Sequence, residues 1–161
     1  MNEWRKYRWT MIAAGVVLLF TAPNHAGFMI YFVIPVLAIW VMYNLIRARK
    51  EKERLKPLGI KLIIWFAVIA IVLGNHWYLA YASRRDADFL VSKVLEYRTQ
   101  RGVYPKDMTE VGIGDPHFGH EWMLHYEAEN GQPELFYAAT FVPFDTYGYD
   151  FQTMQWRYRV D

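Results

Sequence analysis

The chain has 161 residues with a net charge of +2, and 54% of its residues are hydrophobic. It contains no cysteine, which excludes disulfide bonds, thiol catalysis and thiolate metal sites. Residues 1–82 carry ten Lys or Arg and three Asp or Glu, whereas residues 83–161 carry eight and thirteen. The second part is therefore acidic, and we expect no nucleic acid partner because the phosphates would repel it.

Three apolar segments in the first part, at about residues 9–25, 28–46 and 60–82, predict three transmembrane helices. An apolar helix of about 20 residues matches the ~30 Å hydrocarbon core of a bilayer. The first segment is short and crosses the bilayer only if Trp4, Tyr7 or the Pro23–Gly27 turn extends it. Its basic flank resembles that of a signal peptide, but we interpret it as an uncleaved anchor. The alternative is a single span preceded by a re-entrant hairpin.

A basic loop at residues 47–59 sets the topology, with six basic and two acidic residues from Arg47 to Gly59. Such loops stay in the cytoplasm, and Arg5, Lys6 and Arg8 hold the N-terminus on the same side. We expect a multi-pass protein of a bacterial inner membrane, with residues 83–161 as a periplasmic domain. Membrane lipid is an expected partner, and the loop has the charge to attract anionic headgroups.

The acidic part begins with a predicted amphipathic helix that Gly102 ends. Asp86 and Asp88 suit its first turn, and no breaker lies between Trp77 and Gly102, so the third span can run on into it. Strands are predicted at residues 121–129, 133–142 and 151–160, with a hairpin turn at Asn130-Gly131 and a turn at residues 143–150. The predicted fold class is three transmembrane helices followed by a small α+β outer domain, in which one helix packs on three or four antiparallel strands.

Catalytic and metal-binding patterns are weak in this chain. His117, His120 and Glu121 are the best candidates for a metal site, but no HExxH arrangement is present, and we interpret the segment as a polar loop. Ser83 and Ser92 lack the glycines of a nucleophile elbow. We expect no enzyme activity, cofactor or small-molecule substrate. A small envelope enzyme that uses residues 117–121 is the alternative.

Aromatic residues crowd the C-terminal part, where a loop cannot bury every ring. Exposed tyrosine beside acidic residues is typical of protein-binding surfaces. The sequence therefore predicts a partner-binding loop formed by Phe144, Asp145, Tyr147, Tyr149, Asp150 and Phe151.

Residues 77–109 resemble type IV pilins and pseudopilins, in which a membrane helix continues outward, ends at a Gly-x-Tyr-Pro turn and meets an antiparallel sheet. Gly102, Val103, Tyr104 and Pro105 match that turn. Pilins begin at a cleaved leader, whereas two apolar segments precede this helix. Only the helix-on-sheet architecture carries over.

The size and domain organisation of the chain are similar to those of small multi-span immunity proteins, which protect bacteria from secreted antibacterial toxins. The shared features are the size, the few spans, a small acidic periplasmic domain and no catalytic signature. This resemblance implies stoichiometric binding of a toxin. An accessory subunit of an envelope secretion or pilus assembly is the alternative.

Overall fold

The computed structural model describes residues 3–115 and 117–160, and the chain forms two compact units, Met1–His76 and Trp77–Asp161. We call these the N-terminal unit and the C-terminal unit. Three α-helices and four β-strands lie in the described part: α1 (Arg8–Thr21), α2 (Ile30–Lys50), α3 (Leu55–Arg101), β1 (His125–Glu129), β2 (Gln132–Ala138), β3 (Thr146–Asp150) and β4 (Gln155–Arg159). The 47 residues of α3 belong to both units. The prediction that the third apolar segment continues into the amphipathic helix is confirmed.

Two helical segments, Gly27–Lys50 and Leu55–Arg101, are long and apolar enough to cross a membrane. Helix α1 has 14 residues, which at 1.5 Å per residue gives about 21 Å, less than the ~30 Å hydrocarbon core. The prediction of three full-length spans is therefore corrected to two. Pro23 explains the early end of α1, because its ring nitrogen has no N–H to continue the helix.

The end of α1 is held by α3 within the N-terminal unit. His76 Nε2 lies 2.8 Å from the Thr21 carbonyl oxygen, and Asn75 Nδ2 donates to the Ala22 carbonyl oxygen at 2.8 Å. The last carbonyls of a helix have no partner within the helix itself. The two polar residues of the third apolar segment therefore cap α1, which places the end of α1 level with residues 75–76 of α3.

The C-terminal unit is a meander of antiparallel strands in the order β1-β2-β3-β4, with the last part of α3 packed on one face. Ala87, Leu90 and Val94 of α3 are 0% exposed and form the core with Leu135 and Tyr137 of β2. The prediction of one helix on an antiparallel meander is confirmed for this unit.

Turn residues place two of the element boundaries as predicted. Gly102 has φ +75° and directly follows α3. Asn130 and Gly131 have φ +52° and +78° and join β1 to β2. Positive φ at both central residues is what a two-residue hairpin requires.

Several predicted strand boundaries were wrong, including the start of the last strand, which is Gln155 rather than residue 151. Residues 146–150, predicted as a turn, form β3, which pairs with both β2 and β4. The first strand begins at His125 rather than at residue 121, because His120–Trp122 form a 3₁₀ turn and Met123 has φ +49°. In both segments tertiary pairing and local turn geometry override the residue pattern.

Candidate protein-binding surface

The residues predicted to bind a partner lie on β3 and on its two flanks, and their side chains have different environments. Phe144 precedes β3 and is 66% exposed, whereas Phe151 follows β3 and is buried. The Phe151 ring packs edge-on against Tyr104, with the centroids 5.3 Å apart. Phe144 is therefore available to a partner, and Phe151 belongs to the core.

Asp145 closes the loop between β2 and β3. Its side chain is buried and accepts a hydrogen bond from the Tyr158 hydroxyl. Its carbonyl oxygen accepts the Ala139 N–H at 2.8 Å. Asp145 thus holds the loop that carries Phe144 and does not face a partner itself.

Tyr147 and Tyr149 point to the helix-covered face and stack with rings of neighbouring strands. The Tyr147 ring lies between Tyr137 and Tyr158, with centroids 5.2 and 5.0 Å away. The Tyr149 ring contacts Trp156 at 5.1 Å. Both tyrosines are partly buried. They build a continuous aromatic layer, which makes the face rigid at the level of β3.

Asp150 fixes the turn between β3 and β4. Its carboxylate accepts the N–H groups of Gln152 and Thr153 at 2.9 and 3.1 Å and pairs with Arg157 at 2.7 Å. The backbone donors, together with the Arg157 charge, lower the pKa of this carboxyl. The Asp150 carboxylate therefore stabilises the turn.

Three apolar side chains remain exposed before β3 and at the end of β4. Phe144 is 66% exposed, Tyr158 is 52% exposed and Val160 is 73% exposed. The Tyr158–Asp145 hydrogen bond brings the strand and the loop together, and Val160 follows Tyr158 at strand spacing. We call Phe144, Tyr158 and Val160 the Phe144 patch. Tyr158 lies on an edge strand and Val160 directly follows that strand, which explains their exposure.

The patch adjoins the open edge of the sheet. Strand β4 is the last strand of the meander, and within the described residues no strand pairs with its outer side. At the opposite edge, the Ala128 N–H of β1 donates to the Lys106 carbonyl oxygen at 3.0 Å, so one of its backbone groups has a partner. The sheet therefore offers backbone hydrogen-bonding groups to a partner at β4.

Three side chains of α3 attach the helix to β4 and to the 3₁₀ turn before β1. Trp122 Nε1 donates to Asp86 at 3.1 Å, and Trp156 Nε1 donates to Asp88 at 2.7 Å. The Arg84 guanidinium lies 4.8 Å from the Trp156 ring centroid and 3.1 Å from Asp88. Asp86 and Asp88 were predicted in the first turn of a helix, but α3 begins at Leu55, so their role is to accept indole N–H groups.

The metal-binding candidates lie in the segment before β1. The rings of His117 and His120 are 6.3 Å apart, edge to face, and both residues are exposed, as is Glu121. Among the described residues, no group of three His, Cys, Asp or Glu is arranged to hold a metal ion. The two serine hydroxyls donate to helix carbonyls, Ser83 to Ala80 and Ser92 to Phe89. That the chain is not an enzyme stays a prediction.

A small cavity of about 280 Å³ lies between α3 and the sheet, lined by Ser83, Arg84, Tyr137 and Tyr147 among others. Burial raises the pKa of Tyr137 to about 12, although Arg84 acts in the opposite direction. The Tyr137 phenol that lines the cavity therefore keeps its proton to a higher pH than an exposed tyrosine does.

This pKa predicts an alkaline loss of stability. The folded unit keeps the Tyr137 proton above the ordinary pKa of 10.0, so the stabilisation is complete below pH 10 and is lost as the pH rises towards 12. We expect the free energy of unfolding to fall by on the order of 2 kcal/mol over that range. Tyr137→Phe should reduce the loss, as measured by urea unfolding of the detergent-solubilised chain.

The exposed Tyr81 provides the control. Tyr81→Phe should leave the alkaline loss unchanged. Part of the loss should survive in Tyr137→Phe, because burial also raises the pKa of Tyr126. Equal alkaline profiles for Tyr137→Phe and the parent chain would contradict the assignment.

Comparison with known proteins gives no match to the chain among family models, curated proteins or solved structures. The functional argument therefore depends on the chain's own geometry.

Proposed function

We propose that the protein is a multi-pass protein of the bacterial inner membrane and that its C-terminal unit binds a protein partner in the periplasm. Two apolar helices of sufficient length support the membrane location. Phe32 and Val36 of α2 and Ile63 and Phe66 of α3 are each at least 68% exposed, which suits a lipid environment. The basic loop at residues 47–59 supports a cytoplasmic position for the end of α2.

The observation that carries the binding proposal is the Phe144 patch beside the open β4 edge. Phe144 is 66% exposed although the loop that holds it is fixed by the buried Asp145. An exposed aromatic ring on a rigid support loses little conformational entropy on binding, which favours it as a hot spot. The neighbouring edge of β4 can add main-chain hydrogen bonds to the same partner.

The specific partner that we propose is an antibacterial toxin, which the C-terminal unit would neutralise by stoichiometric binding. The domain organisation of the chain supports this proposal: it combines a proposed membrane anchor, an acidic unit and a proposed binding surface on a small sheet. The proposal predicts that deletion of the gene kills cells only when the toxin is present.

One observation favours the alternative of an accessory subunit in an envelope assembly. Helix α3 runs without a break from the apolar segment into the helix that packs on the sheet, as in the pilin-like architecture. An assembly subunit would copurify with other envelope components and would be dispensable for survival among kin.

A pull-down from detergent extracts with matched variants tests the binding surface. Phe144→Ala should reduce recovery of the partner at least tenfold, because truncation of a hot spot weakens binding by ~2 kcal/mol or more. Val103→Ala removes a side chain that is 60% exposed elsewhere on the unit and should leave recovery unchanged. Equal recovery with both variants would contradict the proposed surface.

A further inference from the structure

The N-terminal unit contains a groove of about 560 Å³ that the proposed function does not use. Side chains of α1, α2 and α3 line it, and most of them are apolar, including Val17, Val33 and Leu37. Its volume lies in the range of small-molecule sites, ~300–1,000 Å³. The exceptions to its apolar lining are Lys61, Thr10 and three indole rings, those of Trp9, Trp40 and Trp65.

The polar end of the groove follows from the helix geometry. The end of α1 at Thr21 is level with His76 of α3, because the two residues are hydrogen bonded. Trp9 precedes Thr21 by about 18 Å along α1, and Lys61 precedes His76 by about 22 Å along α3. Lys61 and Trp9 therefore lie at similar depth, at the beginning of both helices. Val17 lies about 12 Å further along α1.

Among the described residues, no acidic side chain compensates the charge at this end. In the described part of the chain Lys61 forms no ion pair, and none of the residues that line the groove is acidic. A cation at one end of an apolar groove is complementary to an anionic amphiphile, with the anion at Lys61 and the chain along Val17 and Val33. Indole rings favour the boundary between headgroups and acyl chains and can donate an N–H there.

We propose that this groove binds an anionic phospholipid, with one acyl chain between α1 and α2 and the phosphate at the Lys61 ammonium. The inference depends on the proposed membrane location of the N-terminal unit, and it does not depend on the protein partner of the C-terminal unit. Lys61 is the second residue of the third apolar segment. The loop at residues 47–59 already sets the topology, so the topology does not require Lys61.

Native mass spectrometry of the detergent-solubilised full chain tests the proposal. The protein is mixed with phosphatidylglycerol and phosphatidylcholine of identical acyl chains, and the bound lipid is counted. We expect the parent chain to retain phosphatidylglycerol preferentially. Lys61→Met should reduce that preference about fivefold, the effect of one basic residue on an anionic lipid, and Lys61→Arg should keep it.

Two further variants separate the groove from general electrostatics. Lys56→Met removes one exposed charge outside the groove and should leave the preference unchanged. Ala13→Trp fills the groove and should reduce retention of both lipids, whereas Leu19→Trp, at an exposed position on a different face of α1, should not. Equal loss in the Lys56 and Lys61 variants, or normal retention in Ala13→Trp, would overturn the proposal.

Carbonate extraction of cell membranes distinguishes failure of the proposed membrane location from failure of the lipid site alone. If the chain is extracted as a peripheral or soluble protein, both the membrane location and the lipid site are wrong. If the chain resists extraction but retains the two lipids equally, only the lipid site is wrong.

Discussion

Replacement of Leu90 by alanine will lower the free energy of unfolding of the C-terminal unit by about 2–5 kcal/mol, as large-to-small core substitutions do. Leu90 is 0% exposed and packs in the core cluster with Leu135 and Tyr137. Alanine keeps the helix propensity of α3, so the effect reports the cavity and the lost apolar contacts. Because small domains are stable by only ~5–15 kcal/mol, the variant should unfold far more readily.

Urea unfolding of the detergent-solubilised chain, followed by near-UV circular dichroism, measures the effect. Val103→Ala is the control, because Val103 is 60% exposed, and its unfolding free energy should stay within about 0.5 kcal/mol of the parent. A Leu90→Ala variant as stable as this control would show that α3 does not pack on the sheet as described.

Gly119→Ala will destabilise the C-terminal unit by a second mechanism. Gly119 has φ +68°, and a Cβ atom there would lie 2.5 Å from Leu124 Cβ. The left-handed conformation costs an L-residue about 1–2 kcal/mol, and overpacking adds about 1–3 kcal/mol. Because the Gly119 carbonyl oxygen also accepts the N–H groups of Trp122 and Leu124, the chain cannot move away without losing both hydrogen bonds.

Gly112→Ala isolates the conformational part of this effect. Gly112 has φ +81°, but a Cβ atom there meets nothing within 4 Å. The free energy of unfolding of Gly112→Ala should fall by only ~1–2 kcal/mol, the cost of a left-handed backbone for an L-residue. The Gly119 variant should therefore unfold at a clearly lower urea concentration, and equal midpoints would contradict the close contact with Leu124.

The parts of the fold that sequence reasoning predicted are those governed by local signals. The absence of a breaker between Trp77 and Gly102 indicated a continuous α3, and Asn130-Gly131 indicated a hairpin turn, and both features are present. The segment at residues 146–150 was mistaken for a turn because its Gly and Asp residues are typical of turns. Pairing of β3 on both sides decides that segment, and pairing is not local information.

The aromatic density before and within β3 predicted a partner-binding loop, and that role stays a prediction. The sequence did not indicate which of its rings are exposed. Which rings are exposed depends on the strand order, which leaves Tyr158 on an edge and Phe151 in the core. The burial of Asp145 follows from a contact with a residue thirteen positions away, which no local pattern contains.

Lys61 was overlooked because it lies inside an apolar segment next to the much stronger charge cluster at residues 47–59. A lysine within a predicted span is itself a signal of function, and its position one turn before Trp65 could have indicated an interfacial site. Only the packing of α1 and α2 beside it shows that a groove is present.

Cysteine accessibility tests most directly the proposed topology, in which the basic loop at residues 47–59 is cytoplasmic and the strands of the C-terminal unit are periplasmic. The chain has no cysteine, so each introduced thiol is unique. Glu129→Cys, in the exposed hairpin of the C-terminal unit, should react with a membrane-impermeant maleimide in intact spheroplasts. Glu53→Cys, in the basic loop, should react only after lysis, and protection of Glu129→Cys in intact spheroplasts would contradict the account.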